Sequence, residues 1–353
     1  MPLAPTFCTA FCTTVQKLPT ANPLPNLFHH RLGIEPMALQ APGSESTTEP
    51  EDSTQITIQT DALTKRYNDT AVVSGLDIAI CEGEVYGFLG PNGAGKSTTI
   101  DLLMDYTRPS SGSASIFGLD VREKTAEIHA RIGILPDQFG VYGSLTGREH
   151  ITYVLDANDA TGDPAAVLGR VGLSEAIDQR AGGYSKGMRQ RLGLGMALAG
   201  DPELLILDEP FSGLDPNGVR LVRDLVTEER DRGTTVFFSS HVLDQVERVC
   251  DRVGLLAEGA LVAEGTPSAL REAAGVETTL RVETDSPETA VTAAERLDAV
   301  SSAWSVDDTV VVSCPPDRRY GVLTALDKAG ISVRTFDVDT GTIEDAFVAM
   351  AET

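Results

Sequence analysis

The sequence lacks a membrane-spanning run. No window of 18 residues is apolar throughout, and the nearest candidate, Leu192 to Leu207, is cut by Asp201, Pro202 and Glu203. A bilayer-crossing helix needs about 20 apolar residues, so no transmembrane helix is expected. Paired cysteines are also missing: Cys8, Cys12, Cys81, Cys250 and Cys314 are scattered and odd in number. Cys8 and Cys12 sit close together without a second pair, which argues against a zinc site and for free thiols in a reducing compartment. The first residues show no charged segment followed by an apolar core, so no secretory signal is expected. Positive charge is scarce. Lys+Arg number 28 against 52 Asp+Glu, a net charge of −24, and only 6 of the bases are lysine. Such a surface repels bulk nucleic acid and anionic headgroups unless positive charge is concentrated locally. The acids are spread through patterned hydrophobic sequence, so they are not a low-complexity tail. They predict a halophilic protein, working where high salt screens self-repulsion.

A chain of 353 residues predicts two domains and a tail. Residues 1–36 hold one acid (Glu35), two bases (Lys17, Arg31) and six prolines, unlike everything after them. The expectation is that translation starts at Met37, and that residues 42–54, polar and acidic, are a disordered lead-in. Residues 1–54 are thus read as a disordered or wrongly included extension. Patterned sequence begins at Gln55. Ile56 and Ile58 alternate with polar residues as in a strand, and so do Leu76, Ile78 and Ile80. Val85–Leu89, Leu204–Leu207 and Thr235–Phe238 are short apolar runs of the kind that suits strands buried in a parallel sheet. Between about 140 and 200 the apolar residues recur at helical spacing. The spacing predicts an α/β core over 55–275 with a helical subdomain inserted. After about 275 the pattern becomes strand, helix (Pro287 to Leu297, capped by Asp285 or Ser286), two strands, helix, strand, and a last helix over Ile343 to Met350. That βαββαβ order predicts a small α+β ferredoxin-like module over 276–353.

The strongest local signal is Gly90-Pro91-Asn92-Gly93-Ala94-Gly95-Lys96-Ser97-Thr98. It fits G-x-x-x-x-G-K-[ST], with an apolar strand before it and a helical pattern after it. Its glycines let backbone N–H groups curl around phosphate oxygens, and the helix that follows aims its positive end at them. Lys96 supplies charge for the β and γ oxygens, and Ser97 a hydroxyl for Mg²⁺. Gly193-x-Gly195-x-x-Leu198 is a poor dinucleotide fingerprint, since the third glycine is absent and the segment is helical. Downstream, Leu204-Leu205-Ile206-Leu207 ends in Asp208-Glu209-Pro210. Asp208 at a strand end can hold Mg²⁺, and Glu209 can polarise an attacking water as general base. His241, beyond the strand Thr235–Phe238, is a candidate contact for a γ-phosphate.

With these residues in order, the chain resembles the ATP-binding subunits of ABC transporters, across roughly Gln55 to Gly275. The family's adenine-stacking aromatic matches Tyr67. Its signature matches Tyr184-Ser185-Lys186-Gly187-Met188-Arg189-Gln190-Arg191-Leu192, its D-loop Ser212-Gly213-Leu214-Asp215, and its switch histidine His241. The resemblance implies a phosphate-loop NTPase fold, ATP and Mg²⁺ as cofactors, and ATP hydrolysis. It also implies a head-to-tail homodimer or heterodimer, in which Ser185 and Gly187 of one subunit face the ATP of the other. A separately encoded integral-membrane permease is the implied partner, with the subunit cytoplasmic and peripheral on the inner face of the cell membrane. Two departures stand out. Lys186, Gly187 and Met188 occupy a signature that usually has two glycines and a glutamine, and the segment is similar to daunorubicin-resistance-type exporters. The family's glutamine that contacts Mg²⁺ and senses the permease falls on Asp137 or Gln138. The rival readings are a soluble ABC ATPase acting on nucleic acid or the ribosome, and a ligand-sensing role for residues 276–353.

Overall fold

Short apolar runs dictate the centre of the molecule. The computed structural model describes residues 55–137, 139–242, 248–274, 279–315, 318–339, 342, 344 and 345. The expected start at Met37, the lead-in, Gln138 and the body of the last helix lie outside the described residues. In chain order the first strands are β1 (Ile56–Tyr67), β2 (Thr70–Leu76), β3 (Ala79–Cys81) and β4 (Val85–Leu89), then helix α1 (Lys96–Leu103). There follow β5 (Ser111–Ile116), β6 (Leu119–Asp120), α2 (Thr125–His129), β7 (Ile132–Leu135), α3 (Gly147–Ala157), α4 (Pro164–Arg170) and α5 (Lys186–Leu198). Next come β8 (Leu204–Asp208), α6 (Pro216–Asp231), β9 (Thr235–Ser240), β10 (Arg252–Ala257), β11 (Ala260–Gly265) and α7 (Pro267–Ala273). The remaining elements are β12 (Thr279–Thr284), α8 (Pro287–Ala294), β13 (Ser302–Val306), β14 (Thr309–Ser313), α9 (Arg319–Lys328) and β15 (Val333–Asp339).

The central sheet runs β11-β10-β4-β9-β8-β7, parallel except for the β10–β11 hairpin. Successive residues of its strands feed two different cores. Val85, Leu89, Leu205, Leu207, Val236 and Phe238 pack with α3, α5 and α6 residues such as Ile151, Leu192 and Val222. Tyr86, Phe88, Leu204, Ile206 and Phe237 face the other way, onto Ile58, Val73 and Ile116 of the second sheet and Ile100 and Leu103 of α1. A strand covered on both faces has no polar positions to alternate, which is why these segments read as continuous apolar runs. Phe237 is wholly buried and stacks between Tyr86 at 6.0 Å and Phe88 at 5.4 Å. Burying one such ring contributes about 1.5–3 kcal/mol.

The second sheet is antiparallel, in the order β2-β1-β5-β6 with β3 also on β1. The Leu76/Ile78/Ile80 alternation falls on two strands rather than one. Asp77 and Ile78 lie between them, where Asp77 accepts a hydrogen bond from Ala62 N–H at 2.5 Å, and both strands run antiparallel along β1. The third sheet, β13-β14-β12-β15, is antiparallel throughout and has its own core of Leu280, Val282, Ala290, Val310, Val312, Val322 and Leu326. Helix α8 stops at Ala294, short of the expected Leu297, and neither expected cap bonds its first turn through a side chain. Asp285 is instead ion-paired to Arg334 on β15.

Candidate functional site

Four neighbouring parallel strands, β4, β9, β8 and β7, end along one edge of the central sheet. Register aligns Leu89 with Ser240, Asp208 with Ser239, and Leu207 with Leu135. The loops leaving that edge carry the phosphate loop, His241, the Asp208–Glu209 pair and Asp137. In open α/β sheets this is where ligands bind.

The phosphate loop is built around backbone that only glycine tolerates. Gly95 has φ +108, and a Cβ there would lie 2.5 Å from the Val72 carbonyl oxygen. A Cβ on Gly90 would lie 2.2 Å from the Leu256 oxygen. Ala94 N–H donates to Pro91 O at 3.2 Å, closing the curl, and α1 starts at Lys96. The helix thus begins inside the motif, with the loop residues Lys96 and Ser97 forming its first turn. Lys96 is buried, and its Nζ donates to Gly90 O at 2.8 Å and Pro91 O at 3.2 Å. Pro91, Asn92, Gly93 and Ser97 are exposed at the mouth, with Thr98 half-buried beside them.

The two carboxylates after β8 diverge. Asp208 is only 4% exposed and accepts a hydrogen bond from Ser239 Oγ, and the nearby Ser97 hydroxyl also favours its ionised form. Burial pushes its carboxyl above the usual carboxylate range, the serine bonds pull the other way, and Asp137 and Glu209 add to the rise. Asp101, one helical turn beyond Ser97, is also pushed up, first by burial and then by Asp208. Glu209 turns away because its backbone is left-handed, φ +51. That conformation costs a non-glycine residue on the order of 1 kcal/mol or more. The Glu209 N–H is held by Ser239 Oγ at 3.0 Å. Its Oε1 lies 3.5 Å from Lys96 Nζ and its Oε2 lies 2.8 Å from His241 Nδ1. The structure thus brings Lys96, Ser97, Asp208, Glu209 and His241 into one cluster.

Sequence reasoning missed Ser239, which touches both carboxylate residues and is fully buried. Its only sequence signal is a hydroxyl at the end of an apolar strand. Asp137 stands exposed after β7. Tyr67 ends β1 beside a tight turn, 48% exposed, with Lys65 Nζ 4.8 Å from its ring centre. Ser185, Gly187 and Asp215 stand outside the cluster, each at a helix start. Ser185 Oγ accepts Met188 N–H at 3.2 Å, and Asp215 Oδ1 accepts Gly218 N–H at 2.7 Å. Gly187 is half-buried, with Leu214 Cδ2 3.8 Å from the position of its missing Cβ. The Lys186 side chain lies across Gly213.

No helix among the described residues is long and apolar enough to cross a membrane. Among the described residues Cys81 and Cys250 are free thiols.

Residues 73–212 match the family described as ABC transporter. The chain is 34% identical over 303 residues to the daunorubicin/doxorubicin resistance ATP-binding protein DrrA of Streptomyces peucetius, covering 83% of this chain and 92% of that protein. That alignment is longer than 55–275, so the likeness extends past the central sheet and its helices. The bacitracin transport ATP-binding protein BcrA of Bacillus licheniformis is 41% identical over 213 residues, 59% of this chain and 69% of that one. Among solved structures, one described as an ATP binding subunit of an ABC transporter matches with a TM-score of 0.58 at 27% identity, covering 62% of this chain and 94% of its own.

Proposed function

The chain belongs to the ATP-binding subunits of ABC transporters, a family whose members hydrolyse ATP, and from that membership we propose that it powers export through a separately encoded integral-membrane permease. The observation that carries the reading is Glu209, held between Lys96 and His241 at the mouth of the phosphate loop. The proposed ATPase domain spans 55–275 with its helical subdomain near 140–200. The four-stranded 279–339 unit is the proposed ferredoxin-like accessory module within 276–353.

In this reading Tyr67 stacks on adenine, and the backbone of Gly90 to Thr98 wraps the phosphates. Lys96 Nζ exchanges the Gly90 and Pro91 carbonyls for β and γ oxygens. Glu209 takes the proton of the attacking water, and His241 holds Glu209 in place while facing the γ-phosphate. Ser97 and Asp208 fit a magnesium ion. Both offer hard oxygen, the Ser97 hydroxyl is near enough to act on the Asp208 carboxyl, and burial of that carboxylate is a cost that a divalent cation offsets. The ion would neutralise charge developing on the phosphates. Asp137 or Gln138 is the proposed further ligand and permease sensor.

Ser185 and Gly187 of one subunit would meet the ATP of the other, with Asp215 at the same seam. One chain carries a full set, so a homodimer has two equivalent sites; a heterodimer with a related subunit is the variant. The subunit would sit peripherally on the inner face of the cell membrane. The relatives named for drug resistance and bacitracin transport favour this over a soluble ATPase acting on nucleic acid or the ribosome, as does the charge of −24. Purified chain should release phosphate from ATP with Mg²⁺, and Lys96→Ala should abolish it. Stimulation by DNA or ribosomes, with none by a co-expressed permease, would favour the rival.

A further inference from the structure

The turn joining β10 to β11 sits where three backbones meet. It is made by Glu258 and Gly259, both left-handed, at φ 49 and φ 83. Gly259 N–H donates to Ala94 O, inside the phosphate loop, at 3.0 Å. Gly259 O accepts Ser74 N–H, on β2, at 2.8 Å. The Val72 carbonyl lies under both glycines: a Cβ on Gly95 or on Gly259 would come within 2.5 Å of its oxygen. A Cβ on Gly95 would also lie 3.6 Å from the Gly259 Cα. Neither glycine has room for a Cβ at this crossing.

The crossing matters because the two ends of the nucleotide site belong to different sheets. The phosphate loop leaves β4 of the central sheet. Tyr67 ends β1, whose partner β2 lies in the antiparallel sheet. The Gly259 backbone bonds to the phosphate loop and to β2 at once. We propose that Gly259 is a positioning residue for the nucleotide: the hairpin tip sets the separation between the phosphate loop and the β1–β2 hairpin that carries Tyr67. This rests on the reading of Tyr67 and the loop as the two ends of one ATP site.

A methyl group at Gly259 has to move off Val72, and the tip must then give up its bond to Ala94, to Ser74 or to both. The loop keeps its internal bonds, Ala94 N–H to Pro91 O and Lys96 Nζ to Gly90 O. A ligand that uses the loop alone should therefore be indifferent, while one that spans both ends should not.

The test is Gly259→Ala, with Gly118→Ala as the control for backbone strain. Gly118 is also left-handed in a hairpin turn, φ +73, with nothing within 4 Å of its missing Cβ. Calorimetry would measure ATP and inorganic tripolyphosphate on each. Gly259→Ala should weaken ATP about tenfold, and raise KM more than it lowers kcat, with tripolyphosphate changed less than about twofold. Gly118→Ala should leave both ligands unchanged. Equal weakening of the two ligands, or of neither, overturns the proposal. Should Gly259→Ala fail to fold, hydrogen exchange on the wild-type chain decides. ATP should slow exchange of the Ser74 and Gly259 amides by about tenfold, and no slowing at either overturns the proposal. A wild-type chain that binds tripolyphosphate but gains nothing from the adenosine would instead refute the reading of Tyr67.

Discussion

The Glu209 carboxylate and the His241 imidazole are hydrogen-bonded, Oε2 to Nδ1 at 2.8 Å, while the other carboxylate oxygen faces Lys96 Nζ at 3.5 Å. A left-handed backbone at Glu209, φ +51, makes this possible. It sends the second carboxylate of an adjacent pair away from Asp208 and across to the strand β9 side. One strand end thereby sends two carboxylates to different neighbours: Asp208 stays with the Ser239 hydroxyl, and Glu209 lies between Lys96 and His241.

Glu209→Gln is expected to keep ATP binding and lose hydrolysis. The amide preserves shape and one acceptor toward His241, but it cannot take a proton. General-base removal typically costs about 10²–10⁴-fold in rate. Phosphate release measures the loss, and light scattering should show an ATP-dependent dimer that persists. Wild-type turnover in this variant would refute the assignment of the base.

Asp208→Asn should separate stability from activity. The folded-state pKa of Asp208 is raised, chiefly by burial. A carboxyl raised in this way binds its proton more tightly folded than unfolded. Its contribution is fullest at low pH and declines as pH rises through the interval between the two values. Near neutral pH the ionised group is therefore a net cost, and an uncharged amide of the same shape removes it. The nucleotide-free variant should melt higher than wild type at pH 7, with the gap closing as pH falls. Its Mg²⁺-dependent phosphate release should drop by about a hundredfold or more. A lower melting temperature at pH 7 would show that the serine bonds outweigh desolvation.

Much of this site was legible because its chemistry needs fixed residue types at fixed spacing on a strand, a loop and a helix. Gly90 to Thr98 and Asp208–Glu209 carry that spacing locally. The parallel strands were legible for a different reason: burial on both faces leaves runs such as Leu204–Leu207 with no polar break. What the chain order hides is the neighbour relation. Nothing near Ser239 announces that it will bridge Asp208 and the Glu209 amide, because that depends on β8 and β9 pairing across 30 residues of separation. Gly259 is hidden in the same way, since its partners Ser74 and Ala94 lie far back in the chain. The start of α8 was legible, since Ser286 is its N-cap residue, although it makes no side-chain capping bond; its end was not, as the helix stops at Ala294 and Asp285 is drawn to Arg334.

The third sheet should fold without the ATPase domain. Its strand pairs all lie within 279–339, and its core of Leu280, Val282, Val310, Val312, Val322 and Leu326 is buried among itself. A fragment of residues 276–353 is expected to unfold cooperatively on heating, followed by circular dichroism. Leu326→Ala should cost about 2–5 kcal/mol. That exceeds much of the stability a domain of this size has, so the variant fragment should be largely unfolded. A fragment with no cooperative transition would mean that the module depends on the rest of the chain.

Stability should rise with KCl, and the sign follows from weighing two screened terms. Salt weakens exposed ion pairs such as Arg148–Asp178 and Arg131–Glu203, which contribute little to stability. It also weakens repulsion among 52 acids set against 28 bases. The screening length falls from about 8 Å at physiological ionic strength to about 3 Å at 1 M, shorter than most spacings between surface carboxylates. With a net charge of −24, like-charge pairs outnumber opposite-charge pairs, though only modestly. The repulsive term therefore wins, and removing it favours the compact state. Melting temperatures at 0.15 M, 1 M and about 3 M KCl should increase in that order. Uncharged osmolytes offer a control, since they do not screen charge. A maximum at the lowest salt would mean that the ion pairs dominate, and that the acidity is not an adaptation to a salty solvent.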